Sequence, residues 1–250
     1  MEVHHHPIAI GSHSTPKKWK HYLWEFFMLF LAVFCGFLAE NQREHFVEHD
    51  REKQFMESLI EDLENDTVEL QRAIIKSDSV ATYADSAVMF LRDFKPQARV
   101  SIRLSYLVGL AGQRQLLIYT DRTATQLKNA GGMRLIRNKK VSNLIVRYWK
   151  EIEESNISLD RYMVYRNASR EVCFKLWLIP EVYRPGASAS VEPVQELEII
   201  DNDIKKWREL TNLLSIGGQI SRLAHSRNLK RQLDTANELI TLIRKEYHLK

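Results

Sequence analysis

Residues 22–39 read YLWEFFMLFLAVFCGFLA, with one charge, Glu25, near the start. From Phe26 to Ala39 no side chain is charged or strongly polar. At a rise of ~1.5 Å per residue, a helix over these positions covers roughly 27 Å, close to the ~30 Å hydrocarbon thickness of a bilayer. Trp19, Tyr22 and Trp24 stand where interfacial aromatic rings anchor a span, and Lys17, Lys18 and Lys20 are placed to reach headgroups. The stretch therefore predicts a transmembrane helix over 22–40, a short tail over 1–21 and a helical soluble domain over 41–250. A cleaved leader is the rival reading, but a cut after Ala39 would put Phe37 where a small residue is required.

The flanks bear on orientation. Three lysines crowd the N-terminal side, whereas Arg43, Arg51 and Lys53 are diluted among Glu40, Glu44, Glu48, Asp50 and Glu52. Proximity to the membrane then favours a cytoplasmic N-terminus, with the larger part on the far side of a bacterial inner membrane, in the periplasm.

Beyond the apolar stretch, no Gly or Pro occurs between Phe37 and Lys95, so the helix is expected to continue as a stalk. Met56, Leu59, Ile60, Leu63, Leu70 and Ile74 repeat at threes and fours, with Glu57, Glu61, Asp62 and Glu64 beside that stripe. A second run covers 81–94 and stops before Pro96. The segment 98–119 contains RVSIRLSYLVGLAG, which fits an alternating strand or a short helix, and both readings stay open. Thr120 or Asp121 is expected to cap a short helix ending at Asn129. Gly131 would then take a left-handed turn and Gly132 permit a close approach, with Leu127, Leu135 and Ile136 anchoring the corner.

A long run follows from Asn138 to Leu178, then a polar, Pro-bearing loop from Pro180 to Glu196 built on PGASASVEP. The chain closes with a helical pair, 201–216 and 219–248, separated by Gly217-Gly218. With 9 Gly and 6 Pro in 250 residues, the fold class expected is all-α: a transmembrane helix continuing into a stalk and an antiparallel helical bundle.

Charge excludes one function class. The net charge is only +4, from 36 basic and 32 acidic residues whose signs are interspersed, so no nucleic-acid footprint is present. The two cysteines are Cys35, inside the apolar stretch, and Cys173, which leaves no pair for a disulfide in the soluble part.

Motifs are few. His45, Glu48 and His49 fit H-x-x-E-H, whose two histidines on adjacent turns hold zinc while the glutamate activates water. The pattern lies just past the apolar stretch, on a stalk, with no third ligand identified. Arg222, His225, Arg227, Lys230 and Arg231 form a basic stretch that reads as a solvated face. His4, His5 and His6 are too short a tract to carry a function. Asn65, Asn156 and Asn167 head glycosylation-type tripeptides within expected helices. No phosphate-binding loop, dinucleotide fingerprint or nucleophile elbow occurs, and no residue is assigned a catalytic, cofactor-binding or metal role.

Two stretches together carry a family likeness. One runs from Glu25 through Leu38-Ala39-Glu40-Asn41-Gln42 and Arg51-Glu52-Lys53-Gln54-Phe55 to Leu59-Ile60-Glu61-Asp62-Leu63. The other is Thr125-Gln126-Leu127-Lys128-Asn129-Ala130-Gly131-Gly132-Met133-Arg134-Leu135-Ile136, followed by Ile145-Val146-Arg147-Tyr148-Trp149. The chain resembles an uncharacterised family of bacterial single-pass membrane proteins, a domain of unknown function. The resemblance implies an anchor, a charged stalk and a C-terminal helical pair; it implies no active site and no cofactor.

The leading expectation is thus a non-enzymatic, membrane-anchored interaction or scaffold protein whose partners are the lipid bilayer and either another protein or a second copy of itself. A ligand-sensing bundle with a pocket lined by Tyr148, Trp149, Tyr162 and Trp177 is the alternative. A tethered metallohydrolase using His45, Glu48 and His49 is the third.

Overall fold

The Gly- and Pro-free stretch forms a single helix, α1 (Trp19–Arg92), so 81–94 is its last part and not a separate run. The computed structural model describes residues 19–95, 99–114, 117–129, 131–178 and 196–249. The chain divides into two units, Met1–Arg51 and Glu52–Lys250. In the first, α1 displays its apolar residues: none of its most apolar 18-residue window is buried. Phe26, Phe30 and Phe34 stack successively at one-turn spacing along it.

The second unit is built on three long helical stretches. These are α1 from Glu52 onward, α4 (Lys139–Leu176) and a C-terminal helix made of α5 (Ile204–Gln219), a π-helical segment (Ile220–Ser226) and α6 (Arg227–Tyr247). One apolar core gathers Met56 and Leu63 of α1, Val141 and Ile145 of α4, and Leu239 and Ile243 of α6. A second gathers Ala87 and Leu91 of α1, Val172 and Leu176 of α4, and Leu210 and Leu214 of α5, and a small third gathers Leu70 and Ala73 of α1 with Leu229 of α6. Early positions of α1 and α4 thus meet late positions of α6. The C-terminal helix therefore runs antiparallel to both, and α1 and α4 run the same way. Two helices running the same way need a crossover, and residues 93–138 supply it.

That crossover resolves the open segment in favour of both readings. Arg99–Ser101 is a strand, β1, and Ile102–Ala111 a helix, α2, whose N-cap Ser101 accepts the Arg103 N–H at 3.3 Å. β1 pairs antiparallel with β2 (Glu196–Glu198), with Val100 opposite Leu197. This strand pair was not expected from sequence; Glu196 had been placed at a loop end. The remainder of that loop, 180–195, lies outside the described residues.

After α2 the crossover continues through α3 (Arg122–Asn129) and a 3-10 turn (Gly132–Leu135). Gly131 has φ +65°, the left-handed turn anticipated for it. A Cβ at Gly132 would lie 3.1 Å from the Leu127 Cα, so the second glycine does mark a close approach.

Gly217-Gly218 requires a correction, because it does not break the last helix. The backbone stays helical from α5 into the π segment, and Ile220 has φ −63° and ψ −43°. Gly218 serves packing instead: a Cβ there would sit 2.9 Å from the Ala84 Cβ, so the pair lets α5 close on α1.

Candidate functional site

A crossover laid over a bundle must find partners for backbone groups that no regular structure satisfies. Three buried carboxylates of α1 take its N–H groups. Glu52 accepts the Arg137 N–H at 2.8 Å and the Tyr247 hydroxyl at 2.6 Å. Asp62 accepts the Thr123 N–H at 2.9 Å and Arg122 Nη2 at 3.1 Å. Asp66 accepts the Thr120 N–H at 2.8 Å and the Tyr148 hydroxyl at 2.8 Å. From the opposite side α4 supplies donors to the carbonyls: the Tyr162 hydroxyl reaches Ala111 at 2.7 Å and Gln113 at 3.1 Å, and Arg166 Nε reaches Gly112 at 2.6 Å.

Two expectations change here. Asp62 is buried at 2% exposure instead of lying on the solvated flank of the stripe. It, and not Thr120 or Asp121, meets the Thr123 N–H in the first turn of α3. Burial holds the Asp66 carboxyl above its ordinary value despite the Thr120 and Tyr148 hydrogen bonds, and pushes the Tyr148 hydroxyl well up, so the latter stays a donor.

Two hollows open beside the crossover. A cleft of about 320 Å³ lies over Asp62, Asp66, Tyr119, Tyr148 and Trp149, with Lys128 Nζ set 4.4 Å above the Trp149 ring. A second, of about 330 Å³, lies between α2 and the end of α4 and includes Trp177. The four aromatics expected to share a pocket are therefore divided. Tyr148 and Trp149 line the cleft, Trp177 lines the second hollow, and the buried Tyr162 ties down α2.

Between the two larger apolar cores runs a polar layer. Ser77 and Ser221 exchange hydrogen bonds from hydroxyl to carbonyl at 2.9 Å. Gln232 Oε1 accepts from the Tyr119 hydroxyl at 2.9 Å and from Ser155 at 3.3 Å. Ser158 Oγ lies 3.1 Å from His225 Nδ1. That pairing has the composition of a nucleophile and base, yet the Ser158 hydroxyl donates to the Ser155 carbonyl at 2.7 Å, so His225 does not take its proton. Burial also pushes His225 down to about 4, leaving it neutral at physiological pH. Both side chains are sealed from solvent, Ser158 at 4% and His225 at 3% exposure.

His225 thus leaves the basic surface stretch in which sequence had placed it. Its neighbours on the surface are largely paired: Arg222 with Asp85 at 2.5 Å, Lys230 with Asp78 at 3.0 Å, and Arg231 with Glu154. The polar layer itself was missed; its signal was the placing of Ser155 and Ser158 among the apolar positions of α4.

The H-x-x-E-H residues lie on α1 in the first unit, with His45 and His49 exposed. Among the described residues no group of three or more His, Cys, Asp or Glu converges as metal ligands would. Asn65, Asn156 and Asn167 are exposed on helices α1 and α4. No family model, curated protein or solved structure matches the chain.

Proposed function

We propose that this chain is a single-pass, non-enzymatic interaction or scaffold protein of the bacterial inner membrane, with its N-terminus in the cytoplasm and its helical bundle in the periplasm. On this reading it belongs with the uncharacterised family its sequence resembles. The observation that carries the proposal is the wholly unburied apolar stretch of α1, which includes Phe27, Leu29, Phe30 and Val33, each at least half exposed. Surface of that kind has no stable place in water, and a bilayer covers it at roughly 25 cal/mol per Å².

The interaction role draws support from a second row on the same helix. Val68, Ile75 and Met89 fall at intervals of seven and fourteen and are 46%, 68% and 74% exposed. Heptad spacing is what a helix presents to a second helix, and another copy of the chain supplies the simplest partner.

The test is fractionation of cells making the full-length protein. It should pellet with membranes, resist an alkaline wash and need detergent for release. Recovery in the soluble fraction, or trimming near Glu40, overturns the proposal. Cross-linking in intact membranes then tests association, which a purely monomeric product would contradict.

A further inference from the structure

The hollow between α2 and α4 has one wall from each. Ser105, Val108 and Gly109 of α2, with its C-cap Gly112, stand against Arg170, Cys173 and Phe174 of α4, with the extended residue Trp177 that ends it. Two of the four positions on the α2 wall have no side chain, which leaves room. At about 330 Å³ the hollow falls within the size range of small-molecule sites.

Its polar groups point to one kind of ligand. Trp177 is 2% exposed, and its indole nitrogen is itself sealed with no hydrogen-bond partner among the described residues, so the ring supplies an apolar wall and its N–H does not face the hollow. The Arg170 guanidinium lies 6.0 Å from the Phe174 ring centre and pairs with no carboxylate among the described residues. Among the described residues, no acidic side chain lines the hollow. Arg166 stands one turn away on the same helix but is engaged with the Gly112 carbonyl at 2.6 Å, which leaves Arg170 as the cation lining the hollow among the described residues. Apart from the Ser105 hydroxyl, the remaining side chains of the described lining are apolar, and a bare phosphate or sulfate would leave them uncovered.

Cys173 decides between binding and chemistry. Burial pushes its thiol up to about 12, and the nearby Arg170 only partly offsets this. The sulfur is therefore a neutral, small apolar group and not a nucleophile.

We propose that this hollow binds a small organic carboxylate, held by the Arg170 guanidinium, with its apolar body against Val108, Cys173 and Phe174. The site is independent of the anchor and of the heptad row, and it is distinct from the aromatic cleft beside Asp66.

Calorimetric titration of the full-length protein in detergent, against a micelle-only blank, tests this. The probes are 1-naphthoate, decanoate and the uncharged 1-naphthalenemethanol. Saturable binding of an acid is expected, at least about tenfold tighter than that of the alcohol, as a charge-assisted hydrogen bond provides. A preference for decanoate assigns the site to acyl chains, and a preference for 1-naphthoate to aromatic acids. Arg170→Gln changes an exposed side chain and leaves the fold intact; it should weaken the acid about tenfold and the alcohol by less than about twofold. No saturable binding at millimolar acid, equal affinity for acid and alcohol, or an Arg170→Gln protein that binds as wild type would each overturn the proposal.

Discussion

The Tyr148 hydroxyl of α4 donates to Asp66 Oδ2 of α1 at 2.8 Å, while Oδ1 of the same carboxylate takes the Thr120 N–H of the crossover at 2.8 Å. One side chain therefore joins three parts of the second unit. Replacing it with Ala leaves a buried hydroxyl and a backbone N–H without their acceptor and should cost about 3 kcal/mol. Asp66→Asn keeps one acceptor and should cost about 1 kcal/mol. Urea unfolding of both variants checks the order, and equal stabilities would contradict it.

The same carboxylate predicts a pH dependence. Burial raises it above its ordinary value of 3.8. Between 3.8 and the raised folded value, the native state binds more proton than the unfolded chain. The group's stabilising contribution is thus complete below 3.8 and is lost as pH rises. The stability of wild type relative to Asp66→Asn should fall as pH rises above about 4, and a difference independent of pH would contradict this.

How much of this was legible in the sequence varies with the physical signal. Periodicity revealed the stripe of α1 because Met56, Leu59, Leu63 and Leu70 are buried by one face of one helix. It could not reveal that Asp62 and Asp66 share the face, since a buried carboxylate is tolerated only by donors from residues some 55 to 80 positions away. Gly131 was readable because a positive φ is a local property. Gly218 was misread because close packing on Ala84 is not local, and glycine alone does not distinguish a break from a crossing. The segment 99–111 stayed undecided for a similar reason: β1 exists only because β2 arrives about a hundred residues later. The second hollow takes one wall from α2 and one from α4, so no single window of sequence contains it.

Gly218 supports a rescue experiment. Ala would gain about 1 kcal/mol of helix propensity at an interior position. Against that gain, its Cβ would lie 2.9 Å from the Ala84 Cβ, closer than two carbons can pack. The contact should dominate, giving a net loss of about 1–2 kcal/mol for Gly218→Ala. Adding Ala84→Gly removes the opposing methyl, so the double variant should be more stable than the sum of the two single changes predicts. A strictly additive thermal-melt cycle would place the cost elsewhere.

Ile75 separates folding from association. It is 68% exposed on α1, so Ile75→Glu should change stability by less than about 0.5 kcal/mol. If the row through Val68, Ile75 and Met89 meets another helix, the buried glutamate should abolish cross-linking between copies or recovery of a partner. Unchanged cross-linking would move the interaction surface to another face.

His225 supplies the counterpart to Asp66, with the opposite sign. Burial lowers it from 6.5 to about 4, so below pH 6.5 the unfolded chain takes a proton that the folded protein declines. The contribution is complete above 6.5 and is lost as pH falls towards the folded value. From these two values, about 2 kcal/mol should disappear between pH 7 and 5. His225→Gln can still hydrogen-bond in the polar layer but cannot take up that proton. The advantage of wild type over this variant, followed by urea unfolding, should therefore shrink by about that amount on acidification. Carboxylates elsewhere titrate in both proteins and cancel in the comparison. A constant difference across the window would mean that His225 is already protonated, or is hydrated, in the folded bundle, and the sealed polar layer would have to be abandoned.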